Sequence, residues 1–263
     1  MDYPGRVIKL GETDPQVVPV LAAQLNRVLA LPPAEALSTA AGTTFDAAMK
    51  RAVQTFQARN LDDQGNPLKA DGEIGSITWG VLFGAGTVPM SSAASDPFLA
   101  HVLQIARAEE KAQVREVPVN SNRGPRVEQY LARAGVGPGL AWCCAFTYWC
   151  FDEAAKAEGR KNPMFKTAGC LAHWNGAPTV GARRIQKFQA VADPSLVQPG
   201  MVFIMDFGGG AGHTGFIEAV SGGHINTIEG NTDASQTREG GGVYRLTRKI
   251  ADISKGFIDY SGL

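Results

Sequence analysis

The sequence predicts an α+β chain: an N-terminal three-helix bundle, then a larger domain whose helices pack on an antiparallel β-sheet. Three observations carry this. Apolar residues first recur at helical spacing, they alternate with period two from Pro199 onward, and the stretch TVPMSSAASDPF (Thr87 to Phe98) between has no apolar period and reads as a linker. Helices first and strands afterwards are the order expected when helices cover a sheet within one domain. The expected boundaries are 1–88 for the bundle, 89–97 for the linker and 98–263 for the second domain.

In the bundle, DPQVVPVLAAQLNRVLA starts with Asp14 as a cap and Pro15 at the first helical position, and Val18, Leu21, Leu25 and Val28 share a face. A second helix, TFDAAMKRAVQTFQARN, repeats Phe45, Met49, Val53 and Phe56. The third, SITWGVLFG, follows the turn ADGEIG and starts at a Ser76 cap. After the linker, FLAHVLQIARAEE and NRGPRVEQYLARAG are amphipathic helices, and AWCCAFTYWCFDEAA begins a buried one. The runs GMVFIMDF, HTGFIEAV, HINTIEGN, GGVYRLTRKI and GFIDYSG are strands bounded by Gly-rich turns.

Composition narrows the function. The chain has 263 residues, 44% apolar, with 25 Lys plus Arg balancing 25 Asp plus Glu, so no net positive field favours nucleic acid or an anionic polymer. The N-terminus lacks the apolar core of a secretory signal, and no run of about 18 uninterrupted apolar residues could span a bilayer. The expectation is a soluble monomer made in the cytoplasm, with no nucleic acid partner and no membrane insertion. The four cysteines, Cys143, Cys144, Cys150 and Cys170, are too few for a disulfide scaffold and have the wrong spacing for zinc. One disulfide, Cys150 to Cys170, is the pairing weighed. No metal and no cofactor is expected, and the second domain has no clustered Asp loop of the calcium-binding kind.

The bundle's motifs resemble the peptidoglycan-binding domain attached to many cell-wall hydrolases. Phe56-Gln57, Asp71-Gly72, Ile74-Gly75 and Thr78-Trp79 match its helix ending, its Asp-Gly turn and its Thr-Trp helix. The resemblance implies peptidoglycan as partner, bound near the turn, with Asp71, Gly72 and Trp79 as candidates.

A reactive cysteine needs a lowered pKa, which a helix N-terminus and a nearby imidazole supply. GVGPGLAW cannot be helical, so the helix starts near Trp142 or Cys143 and places Cys143 in its first turn. Cys144 lies about 100° round the helix and points elsewhere, and Cys150 sits about 10 Å further along the axis as a core thiol. The residues alone leave Cys143 and Cys144 open. Among the histidines, His101 reads as a core or boundary residue, His173 as part of an aromatic loop that lines the cleft, and His224 as exposed. His213 ends a glycine run and begins a strand, which suits a base that substrate can approach. Glu229 and Asn231, two apart on a strand, share one face. A three-residue loop Ser221-Gly222-Gly223 would turn that face toward His213.

AWCCAFTYWC, then GGGAGHTGFIEAV and INTIEGNT, resembles the cysteine, histidine-dependent amidohydrolase/peptidase (CHAP) domain of bacterial and phage wall lysins, a papain-like fold. The resemblance selects Cys143, after Trp142, as nucleophile, with Cys144 standing where Ala is common. It implies His213 as base and Glu229 and Asn231 as its assistants. Trp142, His173 and Trp174 are the expected cleft residues. The activity implied is hydrolysis of an amide bond in peptidoglycan, as an amidase or endopeptidase, by a phage-type endolysin or an antibacterial effector delivered by specialised secretion. An effector would require an immunity protein as partner, and an endolysin would not. An inactive wall-binding module and an acyl transferase are the competing readings.

Overall fold

The computed structural model describes residues 1–236 and 240–263. The chain divides into two compact units, one of Met1–Pro89 with Val191–Pro194 and Ser221–Gly223, the other of Met90–Ala190, Ser195–Val220 and His224–Leu263. The first unit therefore takes in two short segments from far along the chain, which continuous boundaries did not anticipate. Tyr3 Oη donates to the Ala192 carbonyl (3.2 Å), and the Gly222 amide donates to the Pro89 carbonyl (3.1 Å).

In the first unit, α1 spans Val18–Leu29, α2 Ala47–Arg59 and α3 Ser76–Phe83. Helix α1 begins later than expected because Asp14 closes a turn instead. Its carboxylate accepts from the Gln16 amide (2.9 Å), and its carbonyl accepts from the Val17 and Val18 amides. Val28, expected inside, is exposed. Helix α2 is capped by Asp46, which accepts from the Met49 amide (2.8 Å). Ser76 is the first residue of α3, with Gly75 in the capping position. Leu21, Leu25, Phe45, Met49, Val53, Phe56, Ile74 and Trp79 close one core.

The residues of the N-terminal motif hold each other. Gln57 is buried, donates through Nε2 to the Glu73 carbonyl (2.8 Å) and the Asp71 carboxylate (3.3 Å), and accepts at Oε1 from the Gly72 amide (2.8 Å). One side chain thus fastens the end of α2 to the Asp-Gly turn. Gly72 has φ +74° and Lys50 Cγ lies 2.6 Å from where its Cβ would stand, so both the turn and the packing require glycine. Trp79 is fully buried, stacked on Phe83 at 4.3 Å and edge-on to Tyr3.

The second unit opens with β1 (Met90–Ser91), inside the segment read as a linker. It continues through α4 (Pro97–Lys111), α5 (Pro125–Ala134), α6 (Cys143–Ala157), α7 (Cys170–Gly176), β2 (Arg183–Gln186) and α8 (Lys187–Ala192). Strands β3 (Val202–Gly208), β4 (Ala211–Ser221), β5 (His224–Thr232), β6 (Gly242–Lys249) and β7 (Gly256–Asp259) follow. Among the described residues the sheet runs β2-β7-β3-β4-β5-β6, with β1 against β4. This is the expected α+β arrangement of helices on an antiparallel sheet, with β1 ahead of the helices and β2 among them. Helix α6 is apolar nearly all round and packs on α4, α5 and β5. Ile204, Phe216 and Ile228 join its core, while Phe203, His213 and Glu229 hold the alternate positions of their strands.

The motif's lock predicts that Gln57→Leu, which leaves the buried Gly72 amide without its acceptor, destabilises the first unit by about 1–3 kcal/mol. Thermal unfolding of the full chain measures this. A melting curve equal to wild type would mean that the turn holds without Gln57.

Candidate active site

Helix α6 begins at Cys143, with Trp142 as its N-cap at φ −120° and ψ 9°. The Cys143 amide is therefore at the first helical position and has no acceptor within the helix. Trp142 is fully buried and donates from Nε1 to Glu116 Oε1 (2.8 Å), so it anchors the helix start and does not line an open cleft. Glu116 Oε2 in turn accepts from the Asn122 amide (3.0 Å).

His213 and Glu229 meet across β4 and β5, with His213 Nε2 2.7 Å from Glu229 Oε2. Strand β4 ends at Ser221 and β5 begins at His224, and the two side chains share a face, as the odd register expected for this hairpin requires. Glycine makes room for the acid: a Cβ on Gly215 would stand 2.7 Å from Glu229 Cγ and 2.8 Å from the Ile228 carbonyl oxygen. On the other side of β5, a Cβ on Gly230 would stand 2.7 Å from the Trp142 ring and 2.9 Å from Phe146 Cβ. Gly230 is thus what lets β5 lie against the start of α6. Asn231 is buried with φ +59°, where the β5–β6 register shifts between Glu229 and Thr232.

Glu229 is fully buried, and its carboxylate is saturated. Oε1 accepts from Thr227 Oγ1 (2.5 Å) and Arg248 Nε (2.7 Å), and Oε2 accepts from Arg248 Nη2 (2.7 Å) and faces His213. That leaves the carboxylate no open position for a cation. Burial alone would raise its pKa, yet Arg248 and His213 outweigh burial and hold it at about 2. The imidazole is pulled the other way. Burial disfavours its charge, but the Cys143 sulfur and the Glu229 carboxylate raise its pKa to about 9.

Cys143 is buried between Cys170 and His213. Its Sγ lies 3.4 Å from Cys170 Sγ, and among the described residues His213 Nδ1 has no hydrogen-bond partner. Contact with Cys170 and then burial push the Cys143 thiol well above the ordinary range, with His213 opposing them. Glu229 therefore favours the imidazolium while Cys170 favours the thiol. All four cysteines are free, and Cys170 faces Cys143, not Cys150, because it opens α7 beside the start of α6. Cys144 points to the Thr167 carbonyl (3.5 Å) and Cys150 is a core thiol, as the helical geometry implies.

Several expected binding residues are interior. His173 lies in α7, not a loop; it is fully buried, its Nε2 is 2.7 Å from Tyr260 Oη, and burial lowers its pKa to about 3. Trp174 is buried too, with Arg184 packed over its ring and bonded to its carbonyl. Neither lines a cleft, because α7 packs both inward. Trp79 belongs to the first unit's core, so it is not a ligand contact. Gly72 is buried, and Asp71 beside it is partly exposed, with its Oδ2 3.2 Å from Lys69 Nζ. His213, expected to be approachable, and His224, expected to be exposed, are both buried.

Arg248, Thr227, Cys170 and Glu116 are the site residues that sequence reasoning passed over. For Arg248 a signal existed: in VYRLTRKI it falls on the same alternate positions as Leu246, the buried face of β6.

Because Cys170 holds the Cys143 thiol, Cys170→Ala is expected to lower the pH at which Cys143 reacts with iodoacetamide. Peptide mass spectrometry resolves the four thiols, and an unchanged Cys143 profile would count against Cys170 as its restraint. For stability, His213 has its folded pKa raised from 6.5 to about 9, so its contribution is complete below pH 6.5 and is lost as pH rises through 9. Glu229 has its folded pKa lowered from 4.5 to about 2, so its contribution is complete above pH 4.5 and is lost as pH falls through 2.

No curated protein and no solved structure matches the chain. Residues 135–231 match one family model, and they contain Cys143, His213, Glu229 and Asn231. A CHAP domain, which marks a cysteine–histidine amidohydrolase or peptidase, is found at residues 135–231.

Proposed function

We propose that this protein hydrolyses an amide bond of peptidoglycan, with Cys143 as nucleophile, His213 as base and acid, and Glu229 as the group that orients the imidazole. The observation that carries this is the arrangement of one thiol at a helix N-terminus beside a buried imidazole bonded to a carboxylate. Cys143 loses its proton to solvent and attacks the amide carbonyl carbon as the thiolate paired with the His213 imidazolium. The developing oxyanion is stabilised by the Cys143 amide, which the helix leaves without an acceptor. His213 then protonates the departing amine, the C–N bond breaks, and an acyl-thioester remains on Cys143. Water, deprotonated by His213, hydrolyses the thioester and restores the thiolate and imidazolium. Asn231, two residues beyond the carboxylate, assists at the same end of β5.

The resting contact between Cys143 and Cys170 fits this cycle as a starting state. Substrate entry turns the thiol from Cys170 to Nδ1, the ring atom that Glu229 leaves free. The first unit serves as the wall-binding module, using the surface around Asp71, and raises the local concentration of substrate at the second.

Digestion of purified sacculi tests the reading. Wild type is expected to release fragments whose new ends, identified by mass spectrometry, name the bond cut. Cys143→Ala is expected to release none while still cosedimenting with the sacculi. Sacculi of several chemotypes left intact by wild type would sink the hydrolase reading in favour of a binding module, and adducts formed with added amines would indicate acyl transfer. Activity is expected to decline above about pH 9, where His213 loses the proton that the leaving amine needs. A profile still rising at pH 10 would remove His213 as the acid.

A further inference from the structure

Arg248 lies on β6, outside residues 135–231, and binds the carboxylate that holds the imidazole. Its Nε and Nη2 each stand 2.7 Å from a different Glu229 oxygen, a fork-to-fork contact that fixes the carboxylate plane. The contact is long-range within the sheet. Arg248 pairs with Ile225 and Glu229 with Tyr244, so the two are offset by four residues, about 13 Å along the strands, and both side chains extend to meet. Thr227, between them, bonds the same carboxylate, and the Arg248 guanidinium lies over the Phe203 ring at 5.8 Å. Phe203 also packs against the His213 ring at 5.9 Å.

We infer that Arg248 is a positioning residue for the reaction, keeping Glu229 ionised and aimed at His213 Nε2 through both protonation states of the imidazole. The inference rests on the reading of Cys143, His213 and Glu229 as the working set. During turnover His213 alternates between neutral and charged, so it is a countercharge for half the cycle only. A guanidinium, by contrast, is a permanent cation. With it in place a dry carboxylate stays anionic when the imidazole is neutral, and His213 keeps its proton on Nε2 with Nδ1 free for sulfur. Without it, burial drives Glu229 to take up a proton, and the imidazolium that accompanies the thiolate loses its anchor.

The test follows Cys143 alkylation by iodoacetamide against pH in the full chain, read peptide by peptide, alongside hydrolysis of sacculi and thermal unfolding. Arg248→Met is expected to move the acid limb of Cys143 alkylation upward by about one unit, a tenfold loss of rate on the limb. Arg248→Lys keeps the charge and loses the fork, so it is expected to keep the limb near its wild-type position and to lower kcat with KM little changed. In a Glu229→Gln background neither substitution should move the limb further, because Arg248 acts through that carboxylate.

A folded Arg248→Met chain with the wild-type limb and kcat overturns the proposal, as does an undiminished shift in the Glu229→Gln background. If Arg248→Met does not fold, Arg248→Lys in the two backgrounds decides: a kcat loss present with Glu229 and absent in the Glu229→Gln background supports positioning, and equal losses or none overturn it. A wild-type chain whose Cys143 shows no acid limb overturns the reading of the site itself, and that failure is visible before any Arg248 variant is compared.

Discussion

A fully buried carboxylate can stay ionised only if its surroundings supply what water no longer does, and Glu229 obtains this from Arg248, Thr227 and His213. Much of the second unit is arranged around that requirement. Strand β6 must run beside β5 in the register that brings Arg248 within reach, β4 must carry a glycine opposite the acid, and β5 must approach α6 closely enough to put the imidazole near a helix start. A shift of one residue between β5 and β6 would turn the guanidinium to the other face and leave a charge uncompensated in the interior. Register in this sheet is therefore enforced by electrostatics as well as by apolar packing.

The local parts of this arrangement were legible in the sequence. The Gly- and Pro-rich approach to Trp142 fixes where α6 begins, helical geometry separates Cys143 from Cys144 and Cys150, and alternation marks β3 to β7. What could not be read is what depends on pairing between distant segments. The alternation of β6 marks Arg248 as facing inward with Leu246, but its partner Glu229 appears only when β6 is laid beside β5. Cys170 has no visible relation to Cys143 until α7 is placed at the head of α6. Strand β2 and helix α8 are too short for a period to show.

Aromatic residues misled for a physical reason. Trp79, Trp142 and Trp174 suit a sugar or peptide surface by side-chain type, yet each occupies an interior position where its size fills space between elements. His173 is the same case in a different residue: beside Tyr260 in the core it stays neutral and takes no part in proton traffic near neutral pH. Residue type told which groups could recognise a ligand, and packing decided which were free to do so.

The N-terminal motif has a similar character. Gln57 spends its amide on the turn at Asp71 and Gly72, so the most recognisable residues of that unit describe how it is held together. Gly215 and Gly230 extend the point to the second unit. They carry no reactive group, and each stands where a methyl would overlap the acid or the head of α6. In a complete map of single substitutions these two positions would be as intolerant of replacement as Cys143 or His213, so intolerance alone would not distinguish side chains kept for their chemistry from the empty spaces that let them meet.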